Sequence, residues 1–206
     1  MKSELLSVVF FAVSLTTSAQ EYIQVNFEGA NPTISDFVWA LLSEKVDDSD
    51  DGEEMMDESA VAFMQAWSQY RKGLPLEDGE TITCDQKNGY VAFESRSEEN
   101  LLKIEMCFWN EADGKHKLIA YNVASYYEGN FNAGTFDGIT YYRYDNSAKK
   151  MAFCDDTDLP REMMDDDGSM ISYSLPIAGK DIIAKYWNDE GEKKQKVLKW
   201  NGHKFD

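Results

Sequence analysis

The sequence predicts an α+β fold: two N-terminal helices packed on an antiparallel β-meander of about eight short strands, whose twist could curl it toward a barrel. Three observations lead there. Apolar residues recur at helical spacing in two segments before Pro75, they alternate with period two in most segments after Thr81, and short turn-forming runs separate the alternating segments.

The first helical segment is ISDFVWALLSEKV, introduced by Pro32 and Thr33, with Ile34, Phe37, Val38, Leu41 and Leu42 on one face. In the second, Ala60, Phe63, Met64, Trp67 and Tyr70 repeat the spacing until Gly73 and Pro75 end it. An amphipathic helix must bury its stripe, so both stripes are expected in the core.

Within LLKIEMCFW, Leu102, Ile104, Met106 and Phe108 point one way, and Lys103, Glu105, Cys107 and Trp109 the other. Asp113 and Gly114 suit a tight hairpin into HKLIAYNVASYY. Similar hairpins join ITYYRY to MAFC, ISYSL to DIIAKYW, and YW to KVLKW. Strands end in Trp-Asn at Trp109, Trp187 and Trp200, and in Tyr144-Asp145, so that the polar residue can cap the turn while the ring packs across strands. Trp109 and Trp187 lie opposite the apolar rows Leu102–Phe108 and Ile182–Tyr186. Either the helices cover them, or they form an open aromatic platform for a ligand.

The first twenty residues, with Lys2, an apolar run from Leu5 to Leu15 and small residues up to Ala19, read as a secretory signal peptide. The run is too short to span a bilayer, so after its removal no integral membrane segment is expected, and residues 21–206 form one domain, periplasmic or secreted. Cys84, Cys107 and Cys154 allow one disulfide at most, with a Cys107–Cys154 pair left open. The two histidines, His116 and His203, are far apart in the chain and no CxxC occurs, so no dedicated zinc site is expected. The net charge of −18 concentrates in two windows: residues 44–58 hold nine acids against one lysine, and residues 155–167 seven against one arginine. Nucleic acid would meet repulsion from both, and is excluded as a partner.

In DDSDDGEEMMDE, a loop counted from Asp47 places Asp47, Ser49 and Asp51 at the first, third and fifth positions, Gly52 at the sixth and Glu58 at the twelfth. This resembles an EF-hand calcium loop, in which Glu53 would add its backbone carbonyl. Glu54 occupies the eighth position, where an aliphatic residue is needed, and no second loop pairs with it. The bland alternative is a solvated linker between helices, with no cofactor.

Enzyme motifs are missing. There is no G-x-S-x-G, and the chain before Gly179-Lys180 lacks the glycine of a phosphate loop. Thirty-eight acids make some close carboxylate pair inevitable without selecting one. His116 is expected to be exposed beside its turn, with no acid to orient it.

The C-terminal run from ISYSLPIAGK to KWNGHKF, with Leu175-Pro176, Gly179-Lys180, Trp200-Asn201-Gly202 and Phe205, resembles the ends of small secreted proteins of Bacteroidetes-type bacteria. NGYVAF, CFWNEADGKHKLIAYN and YRYDN extend the resemblance over much of residues 80–206. It implies export and brings no biochemical activity with it. The expected function is an exported, non-enzymatic binding or interaction module for an unknown protein or glycan. The alternatives are a carbohydrate-binding accessory using exposed tryptophan, and a carboxylate-dependent hydrolase.

Overall fold

The computed structural model describes residues 21–47 and 57–206; the segment expected to be a signal peptide and most of the acidic stretch lie outside them. Strand β1 (Tyr22–Gln24) precedes helices α1 (Ile34–Asp47) and α2 (Glu58–Arg71). Then follow β2 (Glu80–Asp85), β3 (Tyr90–Ser97), β4 (Asn100–Asn110), β5 (His116–Tyr127), β6 (Asn130–Phe131), β7 (Gly138–Asp145) and β8 (Lys150–Phe153). The last strands are β9 (Met170–Ser174), β10 (Ile182–Asn188) and β11 (Gly191–Leu198).

The class is α+β, but the strands number eleven among the described residues and make two antiparallel sheets instead of one meander of eight. The larger runs β1-β8-β7-β5-β4-β3-β2, with β6 beside β5; the smaller runs β11-β10-β9. The large sheet ends in two separate edges, β1 and β2, so it is open and not a closed barrel.

Helix α1 starts where Asp36 accepts hydrogen bonds from the amide and hydroxyl of Thr33, both at 2.7 Å, which satisfies a donor that the first turn would otherwise orphan. Its stripe of Ile34, Phe37, Val38, Leu41 and Leu42 is fully buried. Helix α2 is capped by Asp57, which accepts from the Ala60 amide at 3.1 Å. It ends at Gly73, whose φ of +67° suits glycine, with Gly73 N donating to Tyr70 O and Leu74 N to Gln69 O. Asp57→Ala is expected to lower stability by about 1 kcal/mol in urea unfolding.

Both helices lie on the face of the large sheet that carries Ile104 and Met106, with Phe37 against Phe108 and Tyr144, and Phe63 stacked on Phe93 at 5.4 Å. The opposite face carries Cys107, Trp109, Leu118, Ala120 and Tyr141. The small sheet covers it, contributing Ile171, Tyr173, Ile182, Ala184 and Leu198. The order is therefore helices, large sheet, small sheet. All three cysteines are free, so Cys107 and Cys154 are not joined.

A buried polar hub ties the two sheets together. Glu105, on the second face of β4, is 1% exposed and accepts from Tyr90 Oη (2.7 Å), Asn122 Nδ2 (3.2 Å) and the Leu175 amide (3.3 Å), with Lys103 Nζ at 2.9 Å. Asn122 Nδ2 also donates to Tyr173 O at 2.9 Å. Tyr173 O and Leu175 N belong to β9 and the residue just beyond it, on the edge that β10 leaves unpaired. Side chains of the large sheet thus complete a buried strand edge that would otherwise hold orphaned backbone groups. Burial, then the Glu105 charge, push the Tyr90 phenol far above its ordinary pKa, so it remains a donor.

Candidate functional site

The two tryptophans expected to matter are both buried. Trp109 packs against Trp200 and Phe205, at 5.9 and 5.2 Å between ring centroids, and donates from Nε1 to Lys180 O at 2.9 Å. Trp187 packs on Tyr126 and Phe131 and donates to Ser172 Oγ at 2.9 Å. The small sheet and the C-terminal residues cover Trp109, while Trp187, itself on the small sheet, is covered by β5 and β6 of the large sheet; neither lies under the helices. The register shifts between Tyr186 and Trp187, where Tyr186 faces Lys194 and Trp187 faces Glu192, so a bulge sits at this ring. The carbohydrate reading therefore loses its surface at these two positions.

Of the acidic stretch, Asp47 closes α1 and Glu58 opens α2, so helices do flank it. Ser49, Asp51 and Glu53 lie outside the described residues. Two of the three Trp-Asn endings cap turns: Asn188 accepts from the Glu190 amide, and Asn201 from those of His203 and Lys204, whereas Asn110 accepts from Lys117 Nζ across the strand pair. Asp145 does the same for Ser147 and Ala148.

One tryptophan remains outside the core. Trp39 is 47% exposed, whereas Trp67, Trp109, Trp187 and Trp200 are 9% or less. It lines an open cleft of about 710 Å³ between the β1–α1 connection and the end of α2, with Asn26, Phe27, Glu28, Ser68 and Arg71. Among the described residues Arg71 makes no ion pair. Asp36 also lines the cleft, but it is committed to the Thr33 cap. The sequence held a signal for this position. Trp39 is the one large apolar residue of its helix outside the Ile34–Leu42 stripe.

A second cleft, of about 740 Å³, opens at the β8 end of the large sheet and is lined by Tyr22, His116, Arg143, Asp145, Phe153 and Asp156. His116 here is half-buried and oriented, contrary to expectation: Nδ1 bonds Asp113 and lies 3.9 Å from Glu111 Oε2, while Nε2 lies 3.9 Å from Asp145. Asp113 also accepts from the amides of Lys115 (2.8 Å) and His116 (3.0 Å). The hydrogen bond from His116, then these amides, hold its carboxyl down at about 2. Glu111, with 9% of its side chain exposed, accepts from Arg143 Nε at 3.0 Å. Sequence reasoning missed the cluster because Glu111, Asp113 and Asp145 reach the ring only once the turn and the β5–β7 pair, which places His116 opposite Asp145, are formed. Among the described residues this is the His/Cys/Asp/Glu group whose donor atoms could hold a metal ion.

No family model matches the chain, and comparisons with curated proteins and with solved structures also yield no match.

Proposed function

We propose that this chain is an exported, non-enzymatic binding module whose ligand surface is the Trp39 cleft, with a glycan as the ligand class. The observation that carries the reading is the single exposed indole, in a concave site of about 710 Å³ while the other four tryptophans are packed away. A large apolar group left open in a cleft has no packing duty to explain it, and small-ligand sites typically span roughly 300 to 1,000 Å³.

The wall chemistry favours a sugar. A pyranose ring has an apolar C–H face and a rim of hydroxyls. An indole offers a flat apolar platform, and Asn26, Glu28, Ser68 and Arg71 offer donors and acceptors around it. A glycosidase would need two free carboxyls flanking the bond to be cut. Asp36 is spent on the helix cap, which leaves Glu28 among the acids of this cleft and favours binding over hydrolysis. The export reading rests on Lys2 and the apolar run Leu5–Leu15. No described helix is long and apolar enough to cross a membrane.

The test is a glycan array probed with the mature chain and with Trp39→Ala. The expected result is a set of bound oligosaccharides lost by at least about tenfold in the variant, or ~1.4 kcal/mol of affinity. Its melting should stay within about 0.5 kcal/mol of the parent, as for an exposed position. Undiminished binding by Trp39→Ala, or no glycan bound by either protein, would overturn the reading.

A further inference from the structure

We propose that the β4–β5 turn and the first residue of β5 form a divalent transition-metal site, with His116 Nδ1, Asp113 Oδ2 and Glu111 Oε2 as ligands and Zn2+ as the ion that suits them. The site is separate from the Trp39 cleft and does not depend on it.

Each of the three carboxylates around the ring divides its two oxygens in the same way. Asp113 gives Oδ1 to the amides of Lys115 and His116, and turns Oδ2 to Nδ1. Glu111 gives Oε1 to Arg143 and leaves Oε2 facing the ring at 3.9 Å, where it accepts no hydrogen bond among the described residues. Asp145 gives Oδ1 to Ser147 and Ala148, and holds Oδ2 3.9 Å from Nε2. One oxygen of each is anchored by the scaffold and the other converges on His116. Outer groups that orient metal ligands work in this manner, and a ligating histidine commonly presents its second nitrogen to a carboxylate, the place Asp145 holds. The Glu111 side chain is also about nine-tenths buried, which holds its Oε2 in place toward the ring.

The donor atoms of Glu111, Asp113 and His116 lie within 4.8 Å of one another. A tetrahedral zinc ion with bonds of roughly 2.0 to 2.2 Å needs its ligands about 3.3 to 3.6 Å apart, so a small side-chain rotation closes the shell. The ion would take the place of the His116–Asp113 hydrogen bond, and leave a fourth position for water. An imidazole nitrogen with two carboxylate oxygens suits zinc better than calcium, which takes six to eight oxygens. The competing account of the same cluster is a hydrogen-bonded His116 held by its carboxylates with no ion bound.

Calorimetry of the chelator-stripped mature protein with Zn2+ decides between them, supported by NMR of the two histidine rings with Co2+. The expected result is a saturable site, of which His116→Gln and Glu111→Gln each remove at least about tenfold in affinity, while His203→Gln changes nothing and millimolar Ca2+ does not compete. Asp145→Asn should weaken Zn2+ roughly 10- to 100-fold through the ring it orients. Co2+ should shift the ring signals of His116 and not those of His203, a readout on the parent chain that holds whether or not a variant folds. Absence of saturable Zn2+ binding, retention of binding in both His116→Gln and Glu111→Gln, or a Co2+ shift at His203 alone would overturn the proposal and leave a hydrogen-bonded cluster without an ion.

Discussion

Trp109→Ala is expected to lower the free energy of unfolding by about 3 to 5 kcal/mol, and Trp187→Ala by a similar amount, because each truncation leaves a cavity between the two sheets. Trp109 fills the space bounded by Trp200 and Phe205, two residues of the chain's last stretch, so its loss also loosens the C-terminal residues that close this layer. Loss of its Nε1–H also takes from Lys180 O the donor it has in the parent. Urea melts of the two variants measure the effect. A change below about 1 kcal/mol at either position would mean that the small sheet does not seal that face.

Glu105→Ala is the second large effect, expected at about 3 to 5 kcal/mol, since removing one member of a buried charged network strands the rest. Tyr90 Oη, Lys103 Nζ and the Leu175 amide would lose their acceptor, and the β9 edge would keep only the Asn122–Tyr173 bond of the two side-chain ties that the hub gives it. Asn122→Ala should couple to it by about 0.5 to 3 kcal/mol in a double-mutant cycle, because both side chains hold the same strand edge. Asp57→Ala, on the opposite layer, should add to Glu105→Ala without coupling. Denaturant unfolding of the singles and doubles reads both. Full additivity of Glu105 and Asn122 would contradict the hub.

The local parts of this fold were legible because they depend on local chemistry. Thr33 and Asp36, the Leu102–Phe108 alternation and the Asp113-Gly114 turn each specify a cap, a face or a hairpin from residues a few positions apart. The partition into two sheets was not legible. A hairpin such as Ile182–Leu198 looks the same whether its outer edge continues the large sheet or stands apart, since the turn fixes only the adjacent pair. The burial of Glu105 was not legible for a related reason. Beside Lys103 on the non-core face of β4 it reads as a solvated charge, and only the edge of β9, about 70 residues later, makes it a buried acceptor. Trp109 and Trp187 read as spare apolar groups for the same want of a known second layer. Trp39 was legible in principle, because a tryptophan off the buried stripe of an amphipathic helix has to be outside the core.

The most direct measurement of the binding account is the 1H–15N spectrum of the five indole groups of the labelled chain of residues 21–206 as an oligosaccharide selected on the array is titrated in. The account predicts that the Trp39 Nε1–H signal alone exchanges rapidly with water and alone shifts on titration, while those of Trp67, Trp109, Trp187 and Trp200 stay protected and unmoved. A shift confined to the buried indoles, or a saturating interaction that leaves the Trp39 signal in place, would contradict it.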